Sequence, residues 1–154
     1  MTSTGLDGAG VGLDLPARSE LVGLVRLVVS SLASTRRDLA DDRVDDLKLA
    51  VSEACTNAIE SYDEGAASPR VVVEWAEADD RLEVVVRDQG RGADPDQVVG
   101  RPADGVGYRP DSDQGLGVAL IRALMDEVDF VVGDGPGTTV RMTLYCGRAE
   151  LAEA

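Results

Sequence analysis

The stretch "SEACTNAIES", residues 52–61, sets Glu53 and Asn57 four apart inside a run of small and apolar residues. In a helix, residues four apart are stacked neighbours on one face. The surrounding pattern is helical: from about Asp41 to Ser61, the residues Val44, Leu47, Ala50, Val51, Ala54, Ala58 and Ile59 fall on one side and make a buried face. Glu53 and Asn57 lie at the border of that face, where a helix meets a seam. Taken alone, the pair also reads as the ordinary polar edge of a buried helix, so the flanking sequence must decide.

Upstream, Leu21, Leu24, Val25, Val28 and Leu32 recur at helical spacing from Ser19 onward, with Pro16 just before them and Arg26 off the apolar stripe. The glycine-rich opening "MTSTGLDGAGVG" predicts a loose tail over residues 1–12, with order beginning near Leu13 in a short strand. Downstream, "EGAASP" stops the Asp41–Ser61 helix. "RVVVEWAE" and "RLEVVVRD" then read as a hairpin turning through "ADD", with Val71, Val73 and Trp75 on one face and Leu82, Val84 and Val86 on another. Residues 89–114 lose periodicity and fill with Gly, Pro and Asp, the signature of a functional or mobile loop. A helical period returns from Leu116 to about Glu127, with Leu116, Ala119, Leu120, Ala123 and Leu124 as its stripe. A last hairpin joins "VDFVVGD" to "TTVRMTLY" through "GPG". This order predicts one α/β domain over residues 13–146, followed by a C-terminal tail over 147–154. Its architecture is a two-layer sandwich: a mixed, mostly antiparallel sheet with helices on one face.

The chain of 154 residues carries 29 acidic and 15 basic residues, no histidine and a net charge of −14. That balance repels phosphate backbones and anionic lipid surfaces, which argues against direct nucleic-acid or membrane binding. The longest apolar stretch, "ELVGLVRLVVSSLAS", is broken by Arg26 and too short to span a bilayer, and no signal-like segment opens the chain. A cytoplasmic location is expected, with Cys55 and Cys146 reduced and structural. Without histidine there is no imidazole base, so proton transfer near neutral pH falls to a carboxylate.

Three further motifs follow the helix pair. "RDQGRG", residues 87–92, places Asp88 where a strand leaves the sheet and then two glycines, Gly90 and Gly92. "QGLG", residues 114–117, puts Gly115, Leu116 and Gly117 at a helix start, where unpaired backbone N–H groups attract an anion. "GPGTTV", residues 135–140, sets Thr138 at the entrance to the last strand. Each is weak by itself: glycines make turns and begin helices for steric reasons, and threonine belongs in strands. Their order and spacing are specific.

E-x-x-x-N on a helix, D-x-G-x-G after a strand, a long loop, G-x-G at a helix start and G-T-T in a hairpin together resemble the GHKL (Bergerat-fold) ATPase domain. The compact length and the strings "VSEACTNAIE" and "GTTVRMTL" are similar to the anti-sigma-factor serine/threonine kinases of the RsbW/SpoIIAB type. The resemblance covers residues 13 to about 144. It implies that Asn57 holds the Mg²⁺ that bridges the phosphates of ATP, since hard Mg²⁺ takes oxygen ligands and few of them from protein. It implies Glu53 as the general base, and Asp88 as the acceptor of the adenine amine. Gly90 and Gly92 would let the backbone pass beneath the base, the Gly115–Leu116–Gly117 turn would cradle phosphate, and Thr138 would support the adenine site. In function it implies a regulator of transcription under stress that sequesters a sigma factor, phosphorylates a STAS-domain anti-anti-sigma protein, and works as a homodimer. Exposed first-helix residues, Arg26 among them, correspond to the partner-facing surface.

Some positions depart from the pattern. Relatives commonly carry histidine four residues after the asparagine; this chain has Ser61, a change expected to matter little because that position is not among the implied nucleotide contacts. The loop "RPDSDQGLG" places Asp111 and Asp113 near the triphosphate, with Arg101 and Arg109 as the basic residues of the region, an arrangement that predicts slow turnover. Two other readings stay open: an ATP-binding module that sequesters its partner without kinase activity, and a catalytic domain of a sensor histidine kinase acting in trans. The latter fits less well, because the chain has no room for a dimerising helical hairpin.

Overall fold

The computed structural model describes residues 10–90, 113–131 and 137–147. The second helix of the chain is the spine on which the rest is assembled. It runs Asp41–Glu60 (α2), with two aspartates in its first turn, where negative charge suits the helix N-terminus. Its buried residues are Val44, Leu47, Ala50, Val51, Ser52, Ala54, Cys55 and Ala58. Alanine, serine and cysteine on this face let neighbouring elements approach closely on three sides. A first helix, Val22–Ala33 (α1), packs on one flank after a 3-10 turn at Ser19–Leu21, and a third, Asp113–Leu124 (α3), packs on the other. No helix among the described residues is long and apolar enough to cross a membrane.

Beneath α2 lies a five-stranded sheet of order β1-β2-β3-β5-β4, formed by Val11–Pro16 (β1), Arg70–Glu77 (β2), Arg81–Asp88 (β3), Glu127–Val131 (β4) and Thr138–Tyr145 (β5). Every pairing among the described residues is antiparallel. β2, β3 and β5 begin and end where the alternation of the sequence places them. β1 starts at Val11, and α3 starts at Asp113, three residues before its apolar period begins.

The pairing register sorts the side chains. Val73, Val86 and Val140 are aligned across three strands, as are Trp75, Val84 and Met142. All six are buried in the single core shared with α1, α2 and α3. On the opposite face Val85 lies between Glu74 and Arg141 in the register, and Glu74 pairs with Arg87 at 2.7 Å. Long charged side chains thus lie over a valine that is only 1% exposed.

Two helical stripes differ from their expected phase. In α3 the buried positions are Gly117, Ile121 and, just past its end, Met125, whereas Leu116 is 48% exposed and Ala119 and Ala123 also face outward. In α1 the buried positions are Val25, Val29 and Ala33, while Leu24 turns outward beside Leu27. Both segments are apolar nearly all round, so the contact with α2 selects the buried side.

At the edge remote from the motif-bearing strand ends, Arg36 holds the β2–β3 turn. Its guanidinium donates to the carbonyls of Ala78 (2.7 Å), Asp79 (2.9 Å) and Arg81 (3.4 Å), and forks onto Asp38 at 3.0 and 2.8 Å. The Asp38 bond raises the Arg36 pKa further and lowers that of the carboxyl. Arg36→Ala is expected to cost about 2 kcal/mol of unfolding free energy, because three turn carbonyls lose a charged donor at once. Arg36→Lys should recover less than half, since an ammonium cannot reproduce the planar fork. Urea denaturation of the three proteins checks both expectations.

Candidate functional site

The elements that carry the sequence motifs converge at one end of the domain. Asp88 is the last residue of β3, and its register partners are Val71 and Thr138. It therefore occupies the apolar, helix-covered face of the sheet. A carboxyl placed there needs donors. Its Oδ1 accepts the Ser61 hydroxyl at 3.0 Å and the Gly90 N–H at 3.0 Å, and the backbone N–H of Thr138 also serves the carboxyl. Burial pushes the Asp88 pKa above the usual carboxylate range, and the three donors pull against that rise.

Ser61, which is not among the implied nucleotide contacts, makes a contact with one of the residues that are. It caps the C-terminal end of α2, is 8% exposed, and touches the carboxyl that the motifs single out. Gly90 is pressed against it: a Cβ at Gly90 would overlap the Ser61 hydroxyl and lie 2.7 Å from the Ser61 carbonyl oxygen. Gly137 closes the site from the other side. It has φ +108°, in the region that favours glycine, and a Cβ there would run into the Asp88 carbonyl and lie 3.0 Å from the Gln89 Cα. Tyr62 ties the same end together, accepting the Gln89 N–H at 2.8 Å and donating to the Arg70 carbonyl at 2.6 Å. Of these, Gly137 is legible in the sequence only as part of a turn, and Tyr62 carries no sequence signal.

Glu53 and Asn57 lie one turn apart on α2, both half-buried, at its seam with α3. The residue facing them is Gly117. A Cβ at this position would lie 3.0 Å from Asn57 Nδ2, 3.2 Å from Asn57 Oδ1 and 3.1 Å from Glu53 Oε2. The early turns of α3 thus rest directly on the acid–amide pair, and the bare glycine is what permits the approach. Gly115 falls within the same helix, and Leu116 beside it is exposed. At the other end of α3, Arg43 of α2 donates to the Leu124 carbonyl at 3.1 Å and pairs with Asp126 at 3.2 Å, which fixes how α3 sits on α2. Gly92, Arg101, Arg109 and Asp111 lie outside the described residues.

The geometry therefore gathers two groups with separate chemistries. One is a half-buried carboxyl supplied with fixed donors, suited to reading a single N–H donor on a ligand. The other is a carboxylate and an amide side by side against the second turn of α3, a donor set suited to a hard cation and to proton transfer. The cysteines take no part: both are free and buried, and burial raises Cys146 and pushes the Cys55 thiol up to about 12.

Comparison with known proteins supplies a context for this arrangement. A family model described as histidine kinase-like ATPase domain matches residues 15–144. The serine-protein kinase RsbW of Bacillus velezensis is 42% identical over 141 residues, covering 88% of this chain and 84% of the relative. The serine-protein kinase RsbW of Bacillus subtilis is 40% identical with the same coverage. Among solved structures, the RsbU and RsbW domains of a Mycobacterium tuberculosis protein superpose with a TM-score of 0.63 at 23% identity, over 90% of this chain and 32% of that longer one.

The Asp88 environment makes a stability prediction. A carboxyl whose folded pKa is raised stabilises the fold while protonated, and that contribution is lost as pH rises through the folded pKa. At pH 7 the ionised group is a net cost to the unliganded domain. Asp88→Asn, which keeps an acceptor for Ser61 and Gly90, is expected to have a melting temperature equal to or above that of the parent at pH 7. The difference should shrink as pH falls through the range in which Asp88 takes up its proton. Thermal melts at a series of pH values read the sign.

Proposed function

The chain belongs to the RsbW group of the histidine kinase-like ATPase family, and on that footing we propose that it is an ATP-dependent anti-sigma factor and serine/threonine-protein kinase. In this reading it sequesters a sigma factor and phosphorylates a serine or threonine of a STAS-type antagonist. The observation that supports the proposal is the close seat of Gly117, in the second turn of α3, on the side chains of Glu53 and Asn57.

The residues divide the work. Asp88 accepts the exocyclic amine of adenine, with Thr138 and Gly90 supplying backbone donors that hold the carboxyl in place. Gly92 joins Gly90 in the turn beneath the base. The first turns of α3, with Gly115, Leu116 and Gly117, are assigned to the phosphates: Gly115 lies where backbone N–H groups are still free of intrahelical bonds, and Leu116 and Gly117 continue the helix behind it. The side chains present suit Mg²⁺, since Asn57 offers one hard oxygen and leaves the ion its waters; when bound, Mg²⁺ neutralises charge on the β- and γ-phosphates. Glu53 takes the proton of the incoming hydroxyl as its oxygen bonds to the γ-phosphorus, and ADP departs with the electron pair of the broken P–O bond. Much of the rate comes from holding the hydroxyl and phosphate in line.

Partner binding falls to a different surface. On α1, Leu24 is 43% and Leu27 66% exposed, three residues apart with Arg26 between them. Outward leucines on a helix whose other side is core suit an apolar partner surface, and the sigma factor is assigned to them. The acidic chain is assigned to the cytoplasm, without direct contact with nucleic acid or membrane, and to a homodimer.

Glu53 and Asn57 should fail differently. Glu53→Ala is expected to retain nucleotide binding and lose transfer by about 10²-fold or more, as removal of a general base does. Asn57→Ala should lose Mg²⁺-dependent affinity first, and transfer with it. Titration of labelled ATP with and without Mg²⁺, beside a phosphate-transfer assay on the antagonist, separates the two; wild-type transfer by Glu53→Ala would remove it from the base role. Leu27→Asp is expected to weaken sigma-factor binding by about tenfold or more while ATP binding stays intact. Equal sigma-factor affinity of parent and variant would move the partner surface elsewhere.

A further inference from the structure

We propose that Ser61 is the positioning residue that sets the adenine-over-guanine discrimination of Asp88, an inference that rests on Asp88 being the base-reading group. Three facts combine. The Ser61 Oγ lies 3.0 Å from Asp88 Oδ1 and 2.6 Å from the Ala58 carbonyl. Ser61 is 8% exposed, so bulk water is a poor substitute for its hydroxyl. Gly90, whose N–H shares Oδ1, is seated so tightly on Ser61 that a side chain there would displace it. The end of α2, the exit of β3 and the carboxyl therefore form one rigid unit with this hydroxyl at its centre.

A serine hydroxyl has one proton and here two acceptors. A bond to a charged acceptor is about twice as strong as one between neutral groups, so the proton goes to the ionised Asp88 and not to the Ala58 carbonyl. An ionised carboxylate offers about four acceptor positions. Among the described residues the Ser61 hydroxyl and the N–H groups of Gly90 and Thr138 fill three, leaving room for a single incoming donor. An adenine amine is such a donor; guanine presents a carbonyl oxygen at that position, and an ionised, immobile carboxylate repels it. Without the hydroxyl the carboxyl loses a donor that opposes the effect of burial, so it turns more easily and takes up a proton more readily. A protonated or rotated Asp88 tolerates guanine.

The test is isothermal titration of ATP and GTP, with Mg²⁺, into the full chain and three variants: Ser61→Ala, Asp88→Asn and the double substitution. Ser61→Ala is expected to lower ATP affinity by about tenfold, the loss typical of one hydrogen bond to a charged group. GTP affinity should stay within about twofold of the parent or rise, so the ATP/GTP ratio falls. In the Asp88→Asn background, adding Ser61→Ala should leave the ratio unchanged, because the hydroxyl acts through the carboxylate. A purely structural Ser61 would weaken both nucleotides alike and keep the ratio; that result, or an unaltered ATP affinity, overturns the inference while leaving Asp88 as the reader. A parental ratio in Asp88→Asn overturns the adenine reading and this inference with it.

Discussion

Everything in this domain depends on α2 being packed against α1, α3 and the sheet at once while keeping a polar edge. A helix hemmed in on several sides would ordinarily be apolar all round. Here small residues, Ala50, Ala54, Cys55 and Ala58, give the inward faces their close contacts, and Glu53 and Asn57 occupy the seam left over. The partner elements meet this with glycines. Gly117 on α3 and Gly90 beyond β3 sit where a methyl group would press, respectively, on the α2 side chains Glu53 and Asn57 and on Ser61, the cap of α2. The same contacts that complete the core therefore bring the polar groups into register, so folding and site assembly are one event.

The two groups of the site differ in how they are held. Asp88 is fixed by bonds to its own oxygen from a side chain and two backbone N–H groups. Glu53 and Asn57 are fixed by the surface beneath and above them, with α3 anchored at its far end through Arg43. A base-reading residue benefits from immobility, because discrimination is lost as soon as the carboxyl can turn. A phosphate-handling pair benefits from an element that can adjust slightly against it, and α3 is attached to the domain chiefly along α2 and through β4.

The sequence announces the strands and the spine more clearly than the flanking helices. "RVVVEWAE", "RLEVVVRD" and "TTVRMTLY" are bounded by turn residues and coincide with β2, β3 and β5. The segments "VGLVRLVVSSLA" and "LGVALIRAL" are apolar on most sides, so periodicity alone permits more than one buried face. Tertiary contact chooses Val25 and Val29 over Leu24, and Gly117 and Ile121 over Leu116. Motif order brought out Glu53, Asn57, Asp88, Gly117 and Thr138, which the fold gathers at one end. It marked Ser61 only as a departure from the relatives' histidine, because its contact is with a strand residue 27 positions away, which no local pattern reveals. Gly137 was hidden for a similar reason: its positive φ serves the backbone of Asp88 and Gln89, not only a turn.

The two thiols have a practical consequence. Cys55 and Cys146 are both buried and both shifted away from the thiolate, so neither offers a nucleophile at neutral pH. The native chain is accordingly a silent background for maleimide chemistry. A single cysteine introduced on the outer side of α1 could carry a fluorophore or a spin label without first removing the natural thiols, and its signal would report on that face alone. The same burial shields both thiols from oxidants such as hydrogen peroxide.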